Sequence, residues 1–138
     1  MNIVFDHRFV NKKQNDLIPG KIHTIRKNYD FWKKFEGQEV NLVFWQGKPR
    51  HRYSRQIIFC KKKIYSVQKV KFIKSNFHFL HSQFFRSPAL AMDFRILAPN
   101  DGFEWTGADM LQWFNNDRYK SGDYAIIHFT DFQYEGAF

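Results

Sequence analysis

Tyr124-Ala125-Ile126-Ile127-His128-Phe129-Thr130 is the clearest strand in the chain, and the fold is read outward from it. It is a short, apolar, aromatic and β-branched run, entered through the turn Ser121-Gly122-Asp123. Similar runs recur upstream. Residues 2–5 suit a short first strand, residues 22–26 are rich in β-branched types, and Val40-Asn41-Leu42-Val43-Phe44-Trp45 follows the turn Glu36-Gly37-Gln38 as a core strand. Between Arg50 and Ile73 the pattern predicts two or three strands, with Ile57–Cys60 and Ile64–Val67 flanking Lys61-Lys62-Lys63. Residues 67–74 alternate, but neither face is purely apolar, which predicts a partly exposed strand. Met92–Leu97 predicts a further strand, ended by Pro99-Asn100-Asp101-Gly102.

Helices are fewer. Phe9, Val10, Leu17 and Ile18 allow one over residues 7–18, stopped by Pro19-Gly20. Phe31, Trp32 and Phe35 suit a single turn. Thr106-Gly107-Ala108-Asp109 reads as a capping box, with Met110, Trp113 and Phe114 forming an apolar face beyond it. Residues 75–90 are aromatic without a period and receive no assignment. The expected fold is α+β, mainly β: a small β-barrel carrying two or three short helices, as a single domain over residues 1–138 with a basic insertion around 48–90.

The chain has 17 Phe, 6 Tyr and 4 Trp among 138 residues, enough ring area for one core without crosslinks. Its single cysteine, Cys60, excludes an internal disulfide and any multi-cysteine zinc site, and is read as an ordinary packed thiol. Nothing in the pattern calls for a cofactor or a metal. His78 and His81 lie three apart without a local carboxylate and read as packing residues. No secretory signal or apolar span is legible, so no membrane partner is expected and the expected location is cytoplasmic.

Charge is unevenly placed. Residues 1–86 hold 19 Lys and Arg against 5 Asp and Glu, a balance of +14, whereas residues 87–138 hold 3 against 8, a balance of −5. A basic body with an acidic end fits one positive face and a polyanionic partner such as RNA. It also fits a merely solvated basic surface. Arg52, Tyr53, Arg55 and Lys61–Lys63 mix aromatic and cationic groups suited to bases and phosphates, and equally suited to an exposed hairpin guarded by charge.

Gly20-Lys21-Ile22-His23-Thr24-Ile25-Arg26 concentrates unlike polar groups. Lys21 is a base if burial depresses its ammonium, Thr24 offers a hydroxyl such a base can activate, Arg26 offers a fork for phosphate or carboxylate, and His23 adds a titratable ring. Lys27 extends the basic character. In an ideal strand Lys21 and Thr24 face opposite ways, so they converge only if Lys21 still belongs to the turn after Pro19-Gly20. The bare residues read also as a basic edge strand. Asp101, in the turn Asn100-Asp101-Gly102-Phe103, is a second candidate: an acid beside an aromatic, able to transfer or orient a proton, or simply to cap its turn. Trp45, Trp105 and Trp113 are assigned to the core, with Trp105 also a possible stacking wall after Asp101, and His128 is read as structural.

Gly20-Lys21-x-x-Thr24-x-Arg26 resembles the signature of ASCH domains, a branch of the PUA-like superfamily. Phe35-Glu36-Gly37-Gln38-Glu39 resembles the turn that follows in that family, Asp101-Gly102-Phe103 its later acidic turn, and Ala125–Phe129 its closing strand. The resemblance spans about residues 8–130. It implies a PUA-like barrel with a cleft beside Gly20–Arg26, in a family that includes proteins similar to RNA-binding modules. One bacterial branch removes acetate from N(4)-acetylcytidine with a lysine, a threonine and a glutamate. By motif position these fall on Lys21, Thr24 and Asp101, with aspartate standing where that branch has glutamate.

Three functions follow as expectations. The first is binding of RNA or a modified nucleotide or nucleoside by Gly20, His23, Arg26, Lys27, Arg52, Tyr53, Arg55, Phe103 and Trp105. The second is amide hydrolysis on an acylated nucleoside, with Lys21, Thr24 and Asp101 catalytic. The third is a non-catalytic module of phage or mobile-element origin that binds a protein partner.

Overall fold

The strand Gly122–His128 (β10) has neighbours on both edges, and this accounts for its unbroken apolar run: Tyr124 through Phe129 are all buried. The computed structural model describes residues 1–73, 78–81, 91, 92, 94–103 and 122–134. Three sheets hold the described strands. The largest runs in the order His23–Lys27 (β4), β10, Ser66–Ile73 (β7), His78–His81 (β8) and Ala91–Met92 (β9). A second joins Asn2–Val4 (β1) in parallel to Glu39–Gln46 (β5), which pairs antiparallel with Arg55–Lys63 (β6). The third is the short hairpin Val10–Asn11 (β2) with Asp16–Leu17 (β3). The architecture is mainly β, and among the described residues the strands form these separate sheets rather than one closed ring.

Hydrogen bonds from Tyr65 N–H to the His128 carbonyl and from Phe129 N–H to the Ile22 carbonyl continue the sheet pattern past the strand ends. Ile3, Leu42, Ile64, Leu97, Ile126 and Ile127 are among the largest fully buried side chains. Each is worth roughly 1.5–3 kcal/mol of transfer free energy. A bulge in β5 between Leu42 and Val43 lets two consecutive apolar residues both point inward, each 0% exposed. Helix α1 (Tyr29–Lys33) is capped by the Asn28 side chain, which accepts from Phe31 N–H while Asn28 itself sits at φ 69.

Three expectations are corrected. Residues 7–18 form no long helix: a single 3₁₀ turn at His7–Phe9 leads into the β2–β3 hairpin, whose turn places Asn15 at φ 50. Lys61–Lys63 do not separate two strands but belong to one nine-residue strand, β6. In β7, Val67, Gln68 and Val70 are buried beside β10 while Lys69 is half-exposed. Met92–Leu97 is not one strand. After β9 the chain forms helix α2, Phe94–Asn100, with Pro99 inside its last turn.

Helix α2 ends by a mechanism that positions the site. Gly102, at φ +87, bonds its N–H to the Pro99 carbonyl, and Phe103 N–H bonds the Ala98 carbonyl. This is a Schellman closure, and it leaves Asp101 as the last residue before the left-handed turn. Ile22 N–H donates to the Asn100 carbonyl at 2.8 Å, which fastens the helix end to the entry of β4. The capping-box helix expected at residues 106–114, and Trp105 and Trp113, lie outside the described residues.

Candidate functional site

Lys21 precedes β4, in the segment that leaves the Pro19-Gly20 turn. It is therefore released from strand alternation, and it lines the same cleft as Thr24 and Asp101. The cleft has a volume of about 930 Å³. Its walls are aromatic, from Phe5, Phe9, Trp45 and Phe103, and its cations are Lys21, Arg26 and Arg50. Thr24 and Arg26, two apart on β4, share the face toward the cleft.

The floor is a buried polar cluster. Lys21 Nζ donates to the Asp101 carbonyl at 2.6 Å and to Asp101 Oδ1 at 3.1 Å, and it lies 4.4 Å from the centre of the Phe9 ring. His23 Nδ1 meets the same Oδ1 at 3.2 Å, so Oδ2 takes neither bond. Behind it, His23 Nε2 is 2.6 Å from the Tyr134 hydroxyl, which also accepts from Asn100 Nδ2 at 3.1 Å. That order assigns the protons. The hydroxyl receives Asn100 and donates to Nε2, leaving Nδ1–H to donate to Asp101.

Burial sets the charges. It lowers the Lys21 ammonium below its ordinary range, against the opposing pull of Asp101. Burial disfavours the Asp101 carboxylate, but the Lys21 charge and the His23 bond outweigh it and hold the carboxyl below its usual range. Burial also keeps His23 neutral, lowering its imidazole despite the bond to Asp101.

Thr24 Oγ1 accepts from Arg26 Nε at 3.2 Å, and Arg26 Nη2 donates to the Val4 carbonyl at 2.6 Å. Arg26 thus ties β4 to β1 while lying 5.1 Å over the Phe5 ring. Phe103 lines the cleft and packs edge-on to Phe9 at 5.3 Å.

The remaining expected residues lie elsewhere. His23 is 0% exposed and touches the cleft only through Asp101. Gly20 and Lys27 are exposed and do not line the cleft. Arg52, Tyr53 and Arg55 sit on and beside the exposed β5–β6 hairpin tip, where Arg52 stacks over Tyr53 at 5.4 Å and Arg55 Nε donates to Gln46. They are outside the cleft wall.

The structure adds residues that spacing did not offer. Trp45 is a half-buried cleft wall rather than core, and His7 Nε2 holds its carbonyl at 2.8 Å. Tyr134, Asn100 and Gln68 join the floor from distant parts of the chain. Gln68 Oε1 meets His128 Nε2 at 2.7 Å and accepts from Tyr134 N–H at 3.0 Å. His23 and His128 are register partners across β4 and β10, so both rings share one face.

Among the described residues no group of three or more His, Cys, Asp or Glu is placed to hold a metal, and no helix is long and apolar enough to cross a membrane. Burial pushes the Cys60 thiol up to about 11, which makes it a poor nucleophile. Comparison with protein-family models, with curated proteins and with solved structures finds no match to this chain.

Proposed function

We propose that the cleft binds a nucleoside or nucleotide, free or within RNA. The observation that carries this reading is that Lys21, Thr24 and Asp101 line one aromatic-walled cleft. Half-buried Trp45 offers a face for a base, buried Phe103 lines the wall with Arg8 over its ring, Asp101 Oδ2 and the Thr24 hydroxyl offer polar contacts at the base edge, and the excess of cations suits a polyanion. The order of landmarks around Gly20–Arg26 supports reading the fold as PUA-like and the chain as ASCH-related. Titration with N(4)-acetylcytidine and cytidine tests the proposal. Saturable binding that weakens in Phe103→Ala is expected, and absence of binding to both ligands removes it.

A second reading, amide hydrolysis of an acylated nucleoside, is favoured by the same convergence and by the desolvated Lys21. Burial eases loss of a proton from Lys21, and the amine so formed would keep both N–H bonds to Asp101 with a lone pair left over. It would take the proton of Thr24 or of a water, whose oxygen attacks the acyl carbonyl. The C–N bond then breaks, and Asp101 relays to the departing amine the proton that Lys21 has taken. If Thr24 is the nucleophile, water hydrolyses the resulting ester and releases the acid. Acetate release from N(4)-acetylcytidine, abolished in Lys21→Met, is the expected result; turnover unchanged by that substitution rules this chemistry out.

A further inference from the structure

Three cations line the cleft, and they differ in what already occupies them. Lys21 is bound to Asp101, and Arg26 is bound to Val4 and Thr24. Arg50 lines the cleft from the exposed loop after β5, and among the described residues its guanidinium has no hydrogen bond, ion pair or ring contact. Its backbone is also unusual. Arg50 sits at φ 60, the left-handed region that an L residue with a long side chain rarely adopts.

The loop is fixed on both sides. His7 holds the Trp45 carbonyl at its start, and turns are closed from His51 N–H to the Lys48 carbonyl at 3.1 Å and from Ser54 N–H to the His51 carbonyl at 3.0 Å. The strained residue is therefore held in place. Local strain of this kind concentrates where a side chain has to be aimed at a ligand.

We infer that Arg50 is a phosphate subsite of the cleft: the ligand is a nucleotide whose base enters the cleft against Trp45 and whose phosphate meets Arg50. This rests on the nucleoside reading of the cleft. The guanidinium fork matches phosphate oxygens, and Arg50 can engage one without breaking an existing pair. The phosphate belongs either to a mononucleotide or to an RNA backbone.

The test is calorimetric titration of the full chain with N(4)-acetylcytidine, with its 5′-monophosphate, and with a hexaribonucleotide containing one acetylcytidine. The monophosphate is expected to bind roughly tenfold tighter than the nucleoside, the low end of a charge-assisted hydrogen bond. Arg50→Asn keeps a residue tolerant of the left-handed backbone and should erase that ratio. Arg50→Lys should retain part of it. A hexamer that binds tighter than the monophosphate and weakens in Arg50→Asn supports the subsite with RNA as its source; equal binding of the two supports it with a mononucleotide. A wild-type ratio near one, or a ratio unchanged in Arg50→Asn, overturns the subsite and leaves the nucleoside reading standing. No binding of any of the three overturns both.

Discussion

The floor and the rim of the cleft are built on opposite principles. On the floor, Lys21, Asp101, His23 and Tyr134 are buried, and their polar groups are engaged with one another. On the rim, Arg50 is exposed, as are Arg52 and Tyr53 on the hairpin tip beside it, Tyr53 being 81% exposed. Removing one member of a buried cluster strands the others without water, whereas an exposed group is solvated in either state. Floor substitutions should therefore move stability and binding together, and rim substitutions should move binding alone.

The largest effect is expected from Asp101→Ala. It strands the Lys21 ammonium, whose side chain is 2% exposed, at a cost of about 3–5 kcal/mol measured by urea unfolding. Adding Lys21→Met should return much of that loss, because the pair would be gone rather than broken. No recovery in the double variant would mean that the two groups are not coupled.

Acid should act on the floor next. Burial, and second the repulsion that a protonated His23 would exert, lowers His128 from 6.5 to about 3. The unfolded chain gains that proton near 6.5 while the folded chain does not, so the contribution is complete above 6.5 and is lost as pH falls toward 3. His23 shifts in the same direction. Asp101, held below 3.8, adds a further loss as pH falls below that value. Unfolding free energy should fall across this window, and His128→Gln should flatten the slope. A slope identical to wild type would place the acid sensitivity elsewhere.

Tyr134→Phe removes the hydroxyl that bonds His23 and Asn100, and should cost about 1–3 kcal/mol. Gly102→Ala is expected to cost about 1–2 kcal/mol, since φ is +87 and the new Cβ would lie 3.0 Å from Lys21 Cδ and 3.1 Å from Phe9 Cδ1. That push should also disturb ligand binding. Arg52→Ala, on the hairpin tip beside the rim, should leave the unfolding midpoint unmoved. A destabilised Arg52→Ala would break the contrast between the two regions.

The same division explains what the sequence disclosed. β5 and β10 were legible because buried strands are written as local apolar runs. The position of Lys21 was legible as a condition, since Pro19-Gly20 allowed a turn that alternation alone forbade. Helix α2 was not, because Met92–Leu97 alternates and Pro99 looks like a stop, while the helical spacing of Phe94, Leu97 and Ala98 is short. The Tyr134 and Gln68 contributions join residues 111 and 60 positions from their partners His23 and His128, and no local spacing encodes such contacts. Arg50 was not legible beside Arg52 and Arg55, because a loop's direction depends on its backbone angles, not on its composition.

The central claim, that the Lys21–Thr24–Asp101 cleft receives a nucleoside, is tested most directly by heteronuclear NMR of the full chain during addition of N(4)-acetylcytidine. The account predicts saturable shifts confined to Lys21, Thr24, the Trp45 indole, Asp101 and Phe103. An unperturbed spectrum, or shifts confined to the exposed residues of β6, would contradict it.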